Sequence, residues 1–399
     1  MLDFLKSLFT EKINKTTSTA SKPVHNNKPA KPLPPSRPRK PAPPSHFIQK
    51  TRFSWHFQLD HNQYPPFCLN NPILVHENVV VVACSNNADH TILFGIDALN
   101  GQLLWEYTTA FFHIRQRCLT NAYCAANGYV FVPSPSSNNP SENVINVLKI
   151  NTGMNIAQIP LKHSSDITLH KMEDKILVVA NGVVSYISYE DFNIENICEL
   201  NGPYNPRLMR FFDNHLYSVA NSKKLVVYNL KTGALVWSFS PQRDIFSDIH
   251  PAGDHVFLSL GGILFKVTVP EKNVKMWKLP YKKRILSIFP VYDKNYLAFG
   301  LGQKVFIHDH IYNSPVQTIE ALPPILISDG FLYYLWDHRI QARHLDSGRV
   351  FSSPDLQLER LIFRDPYISQ AQQMPYKINF FEQSIFLQNS FHLISITRP

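Results

Sequence analysis

A short unit recurs eight times along this chain of 399 residues: a turn of Asp, Asn or Gly that leads straight into an apolar strand. The copies are HENVVVVACS (76–85), ANGYVFVPSP (126–135), EDKILVVANG (173–182), DNHLYSVANS (213–222), GDHVFLSLGG (253–262), DKNYLAFGLG (293–302), SDGFLYYLWD (328–337) and EQSIFLQNSF (382–391). Their strands open at Val79, Tyr129, Ile176, Leu216, Val256, Tyr296, Phe331 and Ile385, spaced 50, 47, 40, 40, 40, 35 and 54 residues apart. A unit of this size cannot bury its own apolar faces, so a period near 40 built from short strands predicts neighbours stacked into a ring. The expectation is an all-β fold, an eight-bladed β-propeller.

A second pair of strands follows each copy. It is clearest in LFGIDALNGQLLWEYTT (93–109), NVLKINTGMNIAQIPL (146–161), LVVYNLKTGALVWSFSP (225–241) and IQARHLDSGRVFSSP (340–354). In each, an Asn-Gly, Thr-Gly or Ser-Gly pair supplies the positive-φ residue of a tight hairpin, as strands three and four of a blade require. The turns at 189–196, 270–273 and 310–315 carry weaker signals. After the eighth copy only HLISITRP (392–399) remains, enough for a third strand. The missing fourth strand is found in RFSWHFQL (52–59), whose Trp55-His56-Phe57 matches Trp105-Glu106-Tyr107 and Trp237-Ser238-Phe239 at the ends of complete blades. Residues 52–59 are therefore expected to close the ring, leaving no open sheet edge.

Two copies, Asp97-Ala98-Leu99-Asn100-Gly101-Gln102-Leu103-Leu104-Trp105 and Asn229-Leu230-Lys231-Thr232-Gly233-Ala234-Leu235-Val236-Trp237, resemble the repeat of quinoprotein-like propellers. That group includes pyrroloquinoline-quinone alcohol dehydrogenases and the non-enzymatic propeller lipoprotein of bacterial outer-membrane assembly. The resemblance spans roughly residues 52–399 and implies the fold, while the scaffold itself hosts both enzymes and binding modules. The dehydrogenases of the group bind quinone and calcium over the axis, many beside a disulfide of adjacent cysteines. Here none of Cys68, Cys84, Cys118, Cys124 and Cys198 are adjacent, and no calcium-ligand motif matches. The resemblance thus implies a non-enzymatic member without cofactor, and the cysteines read as free thiols of a reducing compartment.

The first fifty residues are a different material. MLDFLKSLFTEKI places Met1, Leu2, Phe4, Leu5, Leu8, Phe9 and Ile13 at helical spacing, which predicts a short amphipathic helix over 1–15. Lys6 and Ser7 interrupt the apolar positions and no small-residue cleavage site follows, so the segment does not read as a signal peptide. Residues 16–50 form a basic linker with nine prolines between 21 and 45. It cannot bury enough apolar surface to fold and is expected to be disordered and extended. Residues 1–50 hold ten Lys and Arg against Asp3 and Glu11, a net +8 of the chain's formal +9. The ring is nearly neutral, so the basic pI points to an anionic surface met by the tail, and nucleic acid is not an expected partner.

Chemistry-bearing motifs are few. His308-Asp309-His310 sets two imidazoles at i, i+2 without a third ligand, and Gly300-Leu301-Gly302 is expected in a strand-to-strand turn, not between a strand and a helix. Pro32-Leu33-Pro34-Pro35-Ser36-Arg37 matches PxxPxR, as a segment rich in Pro, Lys and Arg readily does. Loops that share one propeller face carry Arg115, Arg117, Arg207, Arg243, Lys282, Lys283 and Arg284, with Lys223, Lys224 and Arg339 beside them. The long segment 355–375 belongs to the same face. The sequence thus predicts a cytoplasmic, non-enzymatic scaffold for protein–protein interaction, able to sit peripherally at a membrane. Its contacts are assigned to Leu2, Phe4, Leu5, Leu8 and Phe9 in the tail, for an unknown protein partner or an anionic membrane, and to Lys282, Lys283 and Arg284 on the ring. An enzyme using the axial pocket and an exported envelope-assembly factor are the alternatives.

Overall fold

In the computed structural model the described residues lie between Arg52 and Thr397, leaving out 111–122, 278–286, 357–376 and several shorter stretches. Within them the chain is an all-β propeller. Its described strands pair into eight four-stranded antiparallel sheets. The first sheet comprises Leu74–His76, Val79–Ser85, His90–Asp97 and Leu103–Ala110. Six sheets of the same meander follow over 124–161, 167–199, 210–239, 246–277, 287–320 and 325–352. The recurring sequence unit marks the turn from first to second strand, where Asn and Asp take the left-handed conformation in place of scarce glycine: φ is 61° at Asn78, 50° at Asn127 and 56° at Asn214.

The eighth sheet joins the two ends of the described chain. Lys377–Phe381, Ser384–Gln388 and His392–Thr397 supply three strands, and Arg52–Gln58 supplies the fourth, paired from Arg52↔Thr397 to Gln58↔His392. Its core is continuous with that of the first sheet: Trp55, Leu59, Phe386 and Leu393 pack with Val80, Val82, Phe94 and Ile96. Equivalent buried clusters join the first sheet to the second, the second to the third, the third to the fourth and the fourth to the fifth, and another joins the seventh to the eighth. Inner-strand side chains alternate between the two neighbouring sheets, so both faces of these strands are apolar. Ile176 and Val178 face the second sheet while Leu177 and Val179 face the fourth.

One joint recurs between sheets. The Trp55 indole of the eighth sheet donates its N–H to the Ala98 carbonyl at 2.8 Å, and its ring lies over Gly101, where a Cβ would come within 2.7 Å. Trp105 of the first sheet repeats this on the second, donating to Ile150 O at 2.6 Å over Gly153. Both glycines also hold positive φ, 76° and 66°, so the turn needs glycine for its backbone and for its neighbour. The third sheet has no tryptophan, and there Tyr186 donates its hydroxyl to the equivalent Leu230 carbonyl at 3.1 Å.

The joint between second and third sheets inverts the pair. Val147↔Ala157 occupies the register of Gly95↔Trp105, so Ala157 stands in the tryptophan's place. The facing turn carries Phe192 at a positive φ of 56° instead of glycine. Its ring fills the vacated space edge-on to Tyr129 at 5.2 Å, in the cluster that also takes Ala157. Burial of the ring offsets the strained backbone.

Two measurements check these joints by chemical denaturation. Trp55→Ala should cost about 3–5 kcal/mol through loss of the ring-closing contact. Ala157→Trp alone should cost about 1–3 kcal/mol by overpacking against Phe192. Combined with Phe192→Gly, it should cost clearly less than the two single changes added together. Strict additivity would show that the two positions are not one joint.

Candidate interaction surface

A four-stranded meander places its first-to-second and third-to-fourth turns on one face of the ring and its second-to-third turns on the other. Backbone hydrogen bonds tie the first pair together: Ala98 N to Asn78 O, Ile150 N to Gly128 O, Leu230 N to Asn214 O and Leu345 N to Gly330 O. Arg52 pairs with Thr397 at the end of a third strand, so the chain enters the ring at that same face.

The joint residues shape its edge. In the first, second and fourth sheets the outer strand carries a β-bulge just before the position of Trp105, Ala157 and Trp237. The bulge turns the docking side chain inward and the preceding one outward. The outward residues are Leu104, Ile156 and Val236, joined by Leu103, Met154 and Leu235 on the adjoining turns, each 38% to 56% exposed. Ile194 continues the series on the third sheet, between the second and fourth. Beside the fourth sheet an open cleft of about 460 Å³ is lined by Leu235, Val236, Trp237, Ser238 and Phe239, with the last two aromatic rings stacked 6.2 Å apart. Aliphatic side chains at one repeated surface position form a rim, not the scatter of single apolar residues that any surface shows.

Charge on this face is negative. Across the first four sheets its turns (76–79, 97–103, 126–129, 149–155, 171–175, 188–194, 212–215 and 229–235) carry seven carboxylates and four lysines, a net charge of −3. The carboxylates of Glu190 and Asp191 stand exposed on the third sheet. Hydrogen bonds from Asn193 hold the Asp191 carboxyl below the usual range. The sequence pattern gave no direct sign of this rim, because the apolar positions read as strand interior until the bulge register is known.

Where described, the basic residues assigned from sequence lie away from this rim, at the turns expected for them. Lys223, Lys224 and Arg339 stand at second-to-third turns, on the opposite face. Lys282, Lys283 and Arg284 lie outside the described residues, as do Leu2, Phe4, Leu5, Leu8 and Phe9 and the rest of the tail. Arg115, Arg117, Arg207 and Arg243, and positions 357–375 of the long segment, lie outside them too. Gly300 and Leu301 end a strand, Tyr296–Leu301, instead of forming a turn.

Titratable groups inside the ring are held in neutral forms by burial. Cys124 is pushed up to about 12 and Tyr189 to about 12, while His170, packed on Phe211 and near Arg210, is lowered to about 3. His76 is lowered mainly by burial and also by Lys171, against Glu77, and its Nε2 accepts the Gly128 N–H at 2.9 Å. His56 is lowered by burial and stacks on His392, with Nε2 and Nδ1 2.8 Å apart. One of these two rings donates and the other accepts, which protonation of both would forbid. Among the described residues no group of three or more His, Cys, Asp and Glu could hold a metal ion, and no helix is long and apolar enough to cross a membrane.

No family model matches the sequence, and no curated protein does. Solved structures do. BamB from Moraxella catarrhalis superposes with a TM-score of 0.53 at 11% identity, over 87% of this chain and 97% of that one. Saccharomyces cerevisiae Sqt1 gives 0.56 at 10%, over 88% and 100%. The quinohemoprotein alcohol dehydrogenase ADHIIG from Pseudomonas putida HK5 gives 0.52 at 10%, over 88% and 77%. BamB and the dehydrogenase are both propellers of the pyrroloquinoline-quinone type, so the likeness shows the fold expected from the repeat.

The buried histidines set a pH dependence. Their folded pKa values lie below the unfolded value of 6.5, so the unfolded chain binds more protons as the pH falls below 6.5. Stability should be full above that value and should fall progressively toward pH 3, the folded value of His170. Between pH 7 and 4.5, before most carboxylates titrate, urea denaturation should show a steady loss, and His170→Gln should flatten it. An unchanged slope in that variant would remove His170 from the account.

Proposed function

We propose that this chain is a non-enzymatic β-propeller scaffold for protein–protein interaction, its eight sheets acting as eight blades, comparable to the non-enzymatic quinoprotein-like propellers. In this reading it works in the cytoplasm. Residues 1–50 tether it to a protein partner or an anionic membrane surface, through Leu2, Phe4, Leu5, Leu8 and Phe9 and the basic linker. The observation that carries the reading is the half-exposed aliphatic rim on consecutive sheets, which lies outside the buried core clusters and has the repetition of a built surface. The chemistry inside the ring supports it: the buried thiol of Cys124 and the imidazole of His170 are shifted away from reactive poise, not toward it.

The tether divides into two testable cases. An anionic membrane would take the apolar stripe at the headgroup boundary, with nearby lysines adding about 1 kcal/mol each. A protein groove would take it as i, i+3, i+4, i+7 anchors and depend less on the linker charge. Leu5→Glu should abolish crosslinking of the full-length chain to its protein partner without flotation on vesicles at any salt concentration. Flotation on anionic but not neutral vesicles, lost in Leu5→Glu or at high salt, would assign the tail to the membrane instead. If full-length protein and residues 47–399 both give no specific crosslinks to any protein, the scaffold reading fails.

A further inference from the structure

We propose that the aliphatic rim and the carboxylates around it, on the first four sheets, form a docking surface for a basic amphipathic segment of a partner protein. The proposal rests on the scaffold reading and names the chemistry of its partner.

Three observations select that occupant. Leu103, Leu104, Met154, Ile156, Leu235 and Val236 expose aliphatic surface at one end of equivalent outer strands, and consecutive cores join their sheets into one rigid arc. Such a surface calls for apolar anchors spaced along an extended or helical segment. Carboxylates are interleaved with it: Glu106 follows Leu104 on the first sheet, Glu195 follows Ile194 on the third, and both are exposed. With a net −3 on the adjoining turns, the arc attracts cations and repels anions. An anionic membrane or nucleic acid is therefore disfavoured. So is a symmetric contact with a second copy, which would set like charge against like. The cleft beside Leu235–Phe239, with stacked Trp237 and Phe239, offers the place for the largest anchor.

The test uses the full-length protein and three labelled synthetic peptides, read by fluorescence anisotropy. The first repeats Leu and Lys with the leucines at i, i+3, i+4 and i+7. The second replaces its leucines with serine, and the third replaces its lysines with glutamate. The first should bind at least tenfold more tightly than either control, and its affinity should fall as salt rises. Leu104→Ser with Val236→Ser should weaken it about tenfold. So should Glu190→Lys with Asp191→Lys and Glu195→Lys, which should also flatten the salt dependence. All five positions are exposed, and equal melting temperatures confirm that the variants fold.

Equal binding of the serine peptide would reduce the effect to net charge and overturn the proposal, and so would unchanged binding in both variants. A dimer of the full-length chain in sedimentation that Leu104→Ser with Val236→Ser converts to monomer would assign the rim to self-association and also overturn it. If both variants leave the peptide bound while crosslinks to a protein partner persist, this surface is wrong and the scaffold reading stands.

Discussion

The contact of Trp55 with the first sheet decides whether the ring exists. Its strand, Arg52–Gln58, is drawn from the start of the described chain and its sheet partners from the end, so the last sheet is complete only when the two meet. Left without that strand, the eighth sheet would expose an unpaired edge beside His392–Thr397 and uncover the core it shares with the first sheet. The joint used there is the one used elsewhere. Trp105 repeats the indole-to-carbonyl bond, Tyr186 replaces it with a phenol, and Phe192 with Ala157 reverses which partner supplies the ring. Closure therefore needs no special seam.

The same joint shapes the outside. To drive a large ring into the neighbouring turn, the outer strand must gain one residue, and the bulge that adds it sends the preceding side chain into solvent. Polar residues could occupy that position at no cost to the core, as Ser54 does in the eighth sheet. The first, second and fourth sheets carry Leu104, Ile156 and Val236 there instead. Of the carboxylates on the same face, Asp97 and Asp191 serve their own turns, accepting from Leu99 N at 2.7 Å and Asn193 N at 3.1 Å. The docking surface proposed above is this apolar, acidic arc, and the joint explains why it repeats with the sheets.

The opposite face differs in character. Lys223, Lys224 and Arg339 stand there, at the turns between second and third strands. These three residues and the acidic rim thus belong to different ends of the ring. The strand that closes the ring begins at Arg52 on the acidic side.

Much of this was legible from the residues alone. Period-40 units, Asn and Gly turns and the Trp55 match set the all-β propeller and the pairing of 52–58 with 392–397, because turn backbone preferences and strand alternation are local properties written into short stretches. What the tertiary structure decided is which apolar residues stay outside. Leu104 and Trp105 are neighbours in an alternating strand, and only the bulge register, set by packing against the next sheet, buries one and exposes the other. The exchange of Trp and Gly for Ala157 and Phe192 was hidden for the same reason, since it joins positions 35 residues apart that meet only when two sheets are pressed face to face. Local preference fixes the strands, but the side of the surface on which a residue ends is a property of the neighbour it is packed against.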